Sequence, residues 1–207
     1  MFLRYILCAA AAYLLGSIST GVLLSRRLFH DDVRKHGSGG TGATNMLRTY
    51  RLKAALLTFA GDAAKAALAV LLGRYLAGFE GGCVAAVFAI VGHMWPLYFG
   101  FRGGKGVATL VGAITGIYPP VVLLCFAVWV VILMMTHYVS LASIVAGCCF
   151  PVFTIASPKV NQSVPFIVFS FVTAVLLLYT HRKNIVRLKN GTESKIYIWK
   201  PHRKADK

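Results

Sequence analysis

The sequence predicts an all-α, polytopic membrane protein: one domain over residues 1–207 with about seven transmembrane helices, its amino terminus outside and its carboxyl tail in the cytoplasm. Three observations carry that prediction. Hydrophobic residues make up 57% of the chain and charged residues only 14%, whereas a water-soluble domain needs roughly a quarter charged residues to cover its surface. Apolar stretches near the length of a membrane-spanning helix recur along the chain. Lys and Arg, 22 against 6 Asp and Glu, gather in alternate loops. A mean hydropathy of +0.70 together with 13 Phe, 9 Tyr and 3 Trp excludes a disordered chain, which carries far less apolar surface.

The candidate spans, in order, are 3–24, 54–77, 82–99, 106–118, 119–135, 138–156 and 165–180. The first has Arg4 ahead of an apolar run, as a secretory signal does. Its run is longer than a signal core and leads into no cleavage pattern with a polar mature start, so it is read as a retained span. The fourth and fifth are short and meet at Pro119 and Pro120. A single straight helix through both would run about 30 residues and about 45 Å, so Pro119 is read as a turn rather than a kink.

With seven spans, 18 of the 22 cations fall on one side and only Arg4, Arg74 and Lys159 on the other, with Lys65 inside a span. The positive-inside rule then places the basic loops and the carboxyl tail in the cytoplasm. This asymmetry accounts for most of the net charge of +16 without nucleic acid, and no loop is long enough to form a basic, aromatic-bearing nucleic-acid module. The five cysteines, Cys8, Cys83, Cys125, Cys148 and Cys149, all lie in apolar runs with no partner at metal-ligand spacing, and are read as small buried hydrophobes.

Three polar clusters fall on the basic side. The loop "DDVRKHGSGGTGATNMLRTYR" matches a G-x-G-x-x-G pattern at Gly37, Gly39 and Gly42, yet no strand precedes it, so it is not a dinucleotide fingerprint. Its glycine amides, with Ser38, Thr41, Thr44, Asn45 and Arg48, can form an anion-binding nest or serve as a flexible connector. In "GHMWPLYFGFRGGKG", Gly103, Gly104 and Gly106 bracket Lys105. No Ser or Thr follows that lysine, which excludes a Walker A loop, while the bare backbone still admits a phosphate. Snorkelling cations at a membrane-interface turn would read the same way, and Trp95 and Tyr98 suit interface anchors. In "HRKNIVRLKNGTESK", His181, Asn184 and Leu188 share a helix face while Arg182, Lys183 and Arg187 point elsewhere, an arrangement that also suits a helix binding anionic lipid. Asp62 and Lys65, three residues apart within a span, are expected to pair structurally near the site. Together the clusters suit an anionic, phosphate-bearing substrate and leave enzyme and carrier both open.

These motifs, "GSGGTGATN" at 37–45, "GHMWPLYFGFRGGKGVAT" at 92–109 and "HRKNIVRLKNGTE" at 181–193, resemble those of the bacterial acyl-phosphate dependent glycerol-3-phosphate acyltransferases over nearly the whole chain. The resemblance implies transfer of a fatty acyl group from acyl phosphate to the 1-hydroxyl of glycerol 3-phosphate in the bacterial inner membrane, with the active site facing the cytoplasm. It implies no cofactor and no metal. The implied partners are the two substrates, membrane lipid and the peripheral enzyme that makes acyl phosphate. By matching positions it assigns catalytic roles to His181, Lys105 and Arg48. It assigns substrate binding to Ser38, Gly39, Gly42, Thr44, Asn45, Gly103, Gly104, Gly106, Ser143, Asn184 and Glu193, the last also orienting the tail. Two positions depart from the family pattern: Gly40 where Asn is usual and Ala66 where Gly is common. No His is followed five residues later by Asp, so the H-x4-D arrangement of acyl-CoA dependent enzymes is absent. A carrier would be expected to show internal repeats, and none is visible between the halves.

Overall fold

The computed structural model describes residues 1–158 and 163–197; Lys159, Lys200, Arg203, Lys204 and Lys207, counted above, lie outside them. Among the described residues the chain is helical with no strand: α1 (Phe2–Gly16), α2 (Thr20–Phe29), α3 (Ala43–Met94), α4 (Val107–Ile117), α5 (Pro119–Thr136), α6 (Val139–Ala156), α7 (Val164–Thr180) and α8 (Arg182–Lys189), with short 3-10 turns at Val33–Lys35 and Leu97–Phe99. Four runs are long and apolar enough to cross a membrane: Phe2–Phe29, Ala43–Phe99, Pro119–Thr136 and Val139–Ala156. A fifth is Val164–Thr180 if taken with α8, from which it bends by 57°. At 1.5 Å per residue α4 is only about 16 Å long, about half the hydrocarbon thickness.

Two breaks divide α3. Arg51 (φ 70°) and Gly78 (φ 66°) interrupt its helical backbone, and at Gly78 the chain reverses, so the expected spans 54–77 and 82–99 form an antiparallel hairpin. Its arms touch backbone to backbone at Gly73 and Gly81, where a Cβ on either residue would strike the other's carbonyl oxygen. α1 runs antiparallel to the first arm and parallel to the second, with Gly16 against the Ala89 backbone and Gly92 against Tyr13. On the other side α4 lays Gly112 against the Ala63 backbone. Lipid tails are as apolar as Leu, so helices associate in a membrane by close packing, and glycine and alanine permit the closest approach. The helical backbone breaks at Tyr118, between α4 and α5.

Behind α3, α6 and α7 close the core with Phe150, Phe166 and Phe169, whose rings are 5.5 to 6.0 Å apart. In α5 only Val121 and Leu133 are buried, leaving a face of Leu123, Phe126, Val131 and Met135 exposed, as lipid contact requires. Cys148 differs from expectation: it is exposed on α6 rather than buried, while Cys8 and Cys83 are buried. The three motif loops gather at one end of the bundle, tied together by Arg34 Nη1 donating to Phe99 O (2.8 Å) and by Thr180 Oγ1 donating to Lys105 O (3.1 Å). The α3 hairpin turn lies at the opposite end, where Tyr5 Oη donates to Glu80 (2.5 Å).

Candidate active site

The first glycine loop is built around one buried amide. Asn45, in the first turn of α3, accepts from Ser38 N (3.0 Å) and donates from Nδ2 to the carbonyls of Val33 (3.1 Å), His36 (3.0 Å) and Gly40 (2.8 Å). Gly37 (φ 56°) presses on the same amide oxygen, which a Cβ would strike. Asn45 is thus the strut of the loop. Asp32 supports it from outside, pairing with Arg34 (2.7 Å) and Arg26 (3.0 Å). The Arg34 hydrogen bonds hold its carboxyl well below the usual carboxylate range. Ser38, Gly39 and Arg48 are exposed on the rim of the loop, with Gly42 and Thr44 half-buried behind them. At Gly40 a side chain would meet only Ser38 Oγ, at 3.6 Å, so the family's usual Asn is not sterically excluded there.

The second loop folds onto the end of the α3 hairpin. Gly104 N donates to His93 O (3.2 Å). A Cβ on Gly103 would strike that same carbonyl, and one on Gly104 would strike the His93 ring. Gly106 (φ 86°) then starts α4. These constraints leave Lys105 half-buried beside Glu193, Arg187 and Arg48. Burial first, then the two arginine charges, lower its ammonium pKa to about 8, with Glu193 opposing.

The third motif sits where α7 bends into α8. His181 Nδ1 lies 2.9 Å from Leu177 O; a carbonyl can only accept, so Nδ1 carries the proton and Nε2 is left as a bare acceptor. Burial, and next the Lys105 charge, push the imidazole pKa down to about 4, so it is neutral at pH 7. Glu193 is the hub of this cluster. It accepts from Asn184 Nδ2 (2.8 Å), Ser140 Oγ (3.0 Å) and Arg187 Nε (2.6 Å). Its carboxyl pKa is affected first by burial, which raises it, but the bonds from Arg187, Asn184 and Ser140 prevail and the net shift is downward. Asn184 Oδ1 is buried with no hydrogen-bond partner among the described residues. Beyond Glu193 the chain lies across the site as a strap: Arg48 Nη2 reaches Ser194 O (3.4 Å) and Ile196 N donates to His137 O (2.8 Å).

Lys105, His181, Asn184, Glu193 and Arg48 therefore come together, from loops as much as 145 residues apart in sequence. One expectation needs correction: Arg187 does not point away with Arg182 and Lys183 but turns in to Glu193, because the strap brings that carboxylate back over the helix. On α6, Ser140 bonds Glu193, while Ser143, one turn on, donates to Val139 O (2.8 Å) and accepts from Trp129 Nε1 (3.2 Å). Helical spacing reveals neither contact, since both depend on where the strap runs. The expected Asp62–Lys65 pair is present at 2.8 Å and extends to a residue missed in the sequence, His93, whose Nδ1 is 3.1 Å from Lys65 Nζ. The only sequence signal for His93 was its place at the head of the second motif.

A helical integral membrane protein that converges three cations, a neutral imidazole acceptor and two glycine loops at one end of its bundle is built to handle a phosphate-bearing molecule at the membrane surface. Residues 6–191 match the family of glycerol-3-phosphate acyltransferases, and the chain belongs to that family. It is 44% identical over 198 residues to a glycerol-3-phosphate acyltransferase of Clostridioides difficile, covering 93% of this chain and 95% of the relative. It is also 44% identical over 192 residues to one of Neisseria meningitidis, covering 90% and 94%. Its fold is similar to crystal structures of PlsY (YgiH), an integral membrane glycerol 3-phosphate acyltransferase. The glycerol 3-phosphate form has a TM-score of 0.87 at 35% identity, over 93% of this chain and 96% of that one. The lysophosphatidic acid form has a TM-score of 0.85 at 34% identity.

Proposed function

We propose that the chain transfers a fatty acyl group from acyl phosphate to the 1-hydroxyl of glycerol 3-phosphate, giving 1-acyl-glycerol 3-phosphate and inorganic phosphate in phospholipid synthesis. The reading places the motif end on the cytoplasmic face of the bacterial inner membrane, in a seven-pass topology with the amino terminus outside. There, a peripheral enzyme that makes acyl phosphate can deliver the donor. The observation that carries this reading is the convergence of His181, whose Nδ1–H is spent on Leu177 O so that Nε2 can accept, with Lys105 and the Asn184 amide at the motif end of the bundle.

Acyl phosphate is a mixed anhydride with a good leaving group, so no activated serine or cysteine is needed. The hydroxyl oxygen attacks the acyl carbon, the bond from that carbon to the phosphate oxygen breaks, and the hydroxyl proton passes to His181 Nε2 or to the departing phosphate. Lys105 and Arg48 hold phosphate charge, and the glycine-loop amides bind its oxygens. Among the described residues Ser38 and Ser143 make no hydrogen bond to a histidine, which supports direct transfer over an acyl-enzyme.

The test uses protein purified in detergent with labelled glycerol 3-phosphate. Palmitoyl phosphate should give a labelled lipid product and palmitoyl-CoA should not. Equal rates with both donors would overturn the assignment of the donor. A stoichiometric acyl adduct that forms and discharges at the turnover rate would overturn direct transfer.

A further inference from the structure

The first glycine loop is joined to the membrane arm of α3 through a strained residue. Arg51 has φ 70° and ψ −174°, a region of backbone space that is essentially reserved for glycine. At the hairpin turn the chain meets the same demand with Gly78 (φ 66°, ψ −158°), whereas beside the site it places an arginine there. His30 and His137 also have positive φ, but in the ordinary left-handed region that ends helices. The Arg51 side chain does not account for the strain: it is exposed and makes no hydrogen bond or ion pair among the described residues.

Backbone strain of this kind persists only where the surroundings over-determine it, and here the neighbouring Tyr50 supplies them. Its ring stacks on Phe29 with centroids 4.2 Å apart and planes 11° from parallel, and its hydroxyl donates to Asp31 Oδ2 (2.8 Å). Asp31 is fixed in turn by His36 Nε2 (2.6 Å) and by the Asp32 amide (2.7 Å). The Tyr50 bond first, then that of the Asp32 amide, keeps the Asp31 carboxyl below its usual range, so it meets the hydroxyl as a charged acceptor at pH 7. Between the Asn45 strut and this hinge runs a short helical segment, residues 43–50, that carries Arg48. The exposed Arg48 guanidinium makes one long hydrogen bond among the described residues, to Ser194 O (3.4 Å). A side chain so lightly held is placed by its backbone, and that backbone is placed by the hinge.

We infer that Tyr50 is a positioning residue for Arg48: by gripping Phe29 and Asp31 it holds the Arg51 hinge in its strained form, and so fixes where the segment presents the Arg48 guanidinium to substrate. The inference rests on the reading that Arg48 holds substrate phosphate, and it adds what aims that residue. Stack and hydrogen bond together are of the same order as the strain they oppose, so loss of the hydroxyl alone tips the hinge toward relaxed forms. Arg51→Gly lifts the strain and leaves the hydroxyl nothing to oppose.

The test compares Tyr50→Phe, which keeps the ring and loses the bond, with Arg51→Gly and with both together, in the full chain purified in detergent. Two readouts are taken: steady-state rates with glycerol 3-phosphate and palmitoyl phosphate, and tryptic cleavage after Arg48, which follows opening of the segment independently of activity. Tyr50→Phe should lower kcat/KM about fivefold, somewhat less than the full value of one charged hydrogen bond, with the same split between KM and kcat that Arg48→Ala shows. It should speed the cleavage by a similar factor. In an Arg48→Ala background the same change should cost less than about twofold more, because residues that act as one unit are not additive. Arg51→Gly should bring Tyr50→Phe back to within about twofold of the unaltered chain in both readouts, while Arg51→Lys, which keeps charge and strain, should not. Unaltered rates and cleavage in Tyr50→Phe would overturn the inference. So would an undiminished loss on top of Arg48→Ala, or a double variant no better than Tyr50→Phe. If the unaltered chain forms no lipid product, the acyltransferase reading fails and the cleavage rates alone decide the hinge.

Discussion

At the scale of single residues, Lys105 is the most exposed to test. A charge-assisted hydrogen bond to phosphate is worth about 1.5–3 kcal/mol, so Lys105→Ala and Arg48→Ala should each lower kcat/KM by at least about tenfold while the protein stays folded. The ammonium pKa is depressed to about 8, so Lys105 is charged below that pH and neutral above it. Initial rates should therefore fall as pH rises through about 8 in the unaltered chain. Lys105→Arg, whose charge persists, should extend the plateau to higher pH. Glu193 offers a structural counterpart. Glu193→Gln removes the ion pair with Arg187 (2.6 Å) and loosens the strap, which should speed tryptic cleavage at Lys195 by about tenfold on the energy of one charged bond. Lys105, His181 and Asn184 were singled out in the sequence through the motifs that carry the family resemblance, since their spacing alone also suits an interface turn or a lipid-binding helix. The parts played by Asn45, Ser140, Arg187 and His93 were not, since each is set by a partner that folding brings near and spacing does not.

Elements were legible where apolar length defines them. Most of the expected segments fall on helix, but 3–24 is interrupted between Gly16 and Thr20 and 82–99 leaves the α-helix after Met94; the helical backbone also breaks beside Pro119 and at Gly78. The pattern placed a turn near Gly78, between 54–77 and 82–99; what it concealed is that helix begins already at Ala43 in the polar loop, ahead of a break at Arg51. The glycine crossings are the testable consequence. A Cβ on Gly112 would lie 2.6 Å from Ala63 C, and one on Gly81 would lie 2.6 Å from the Ala77 side chain, where something must move. Gly112→Val and Gly81→Leu should each destabilise the protein by about 1–3 kcal/mol, the usual cost of overpacking, read as a lower melting temperature in detergent. Gly78→Ala, with open space around it but φ at 66°, should cost about 1 kcal/mol through backbone strain alone.

For the molecule as a whole, the asymmetry of charge sets the expected orientation. In a cysteine-free background, a single cysteine at exposed Lys189 should be labelled only from the cytoplasmic side, and one at exposed Tyr75 only from outside. External labelling at Lys189 in intact cells would reverse the topology proposed above. One feature of the architecture also places the site in time. Among the described residues, the side chains gathered around Lys105 and Glu193, namely Arg48, Ser140, His181, Asn184 and Arg187, all precede Glu193, so the carboxylate that braces Ser140, Asn184 and Arg187 is the last of them to leave the ribosome. A nascent chain can deliver all its apolar helices to the bilayer while its cations still face one another without that counter-charge. Chains halted at residue 190 should therefore insert but produce no lipid, and the onset of activity during synthesis is delayed until the membrane has already received the helices.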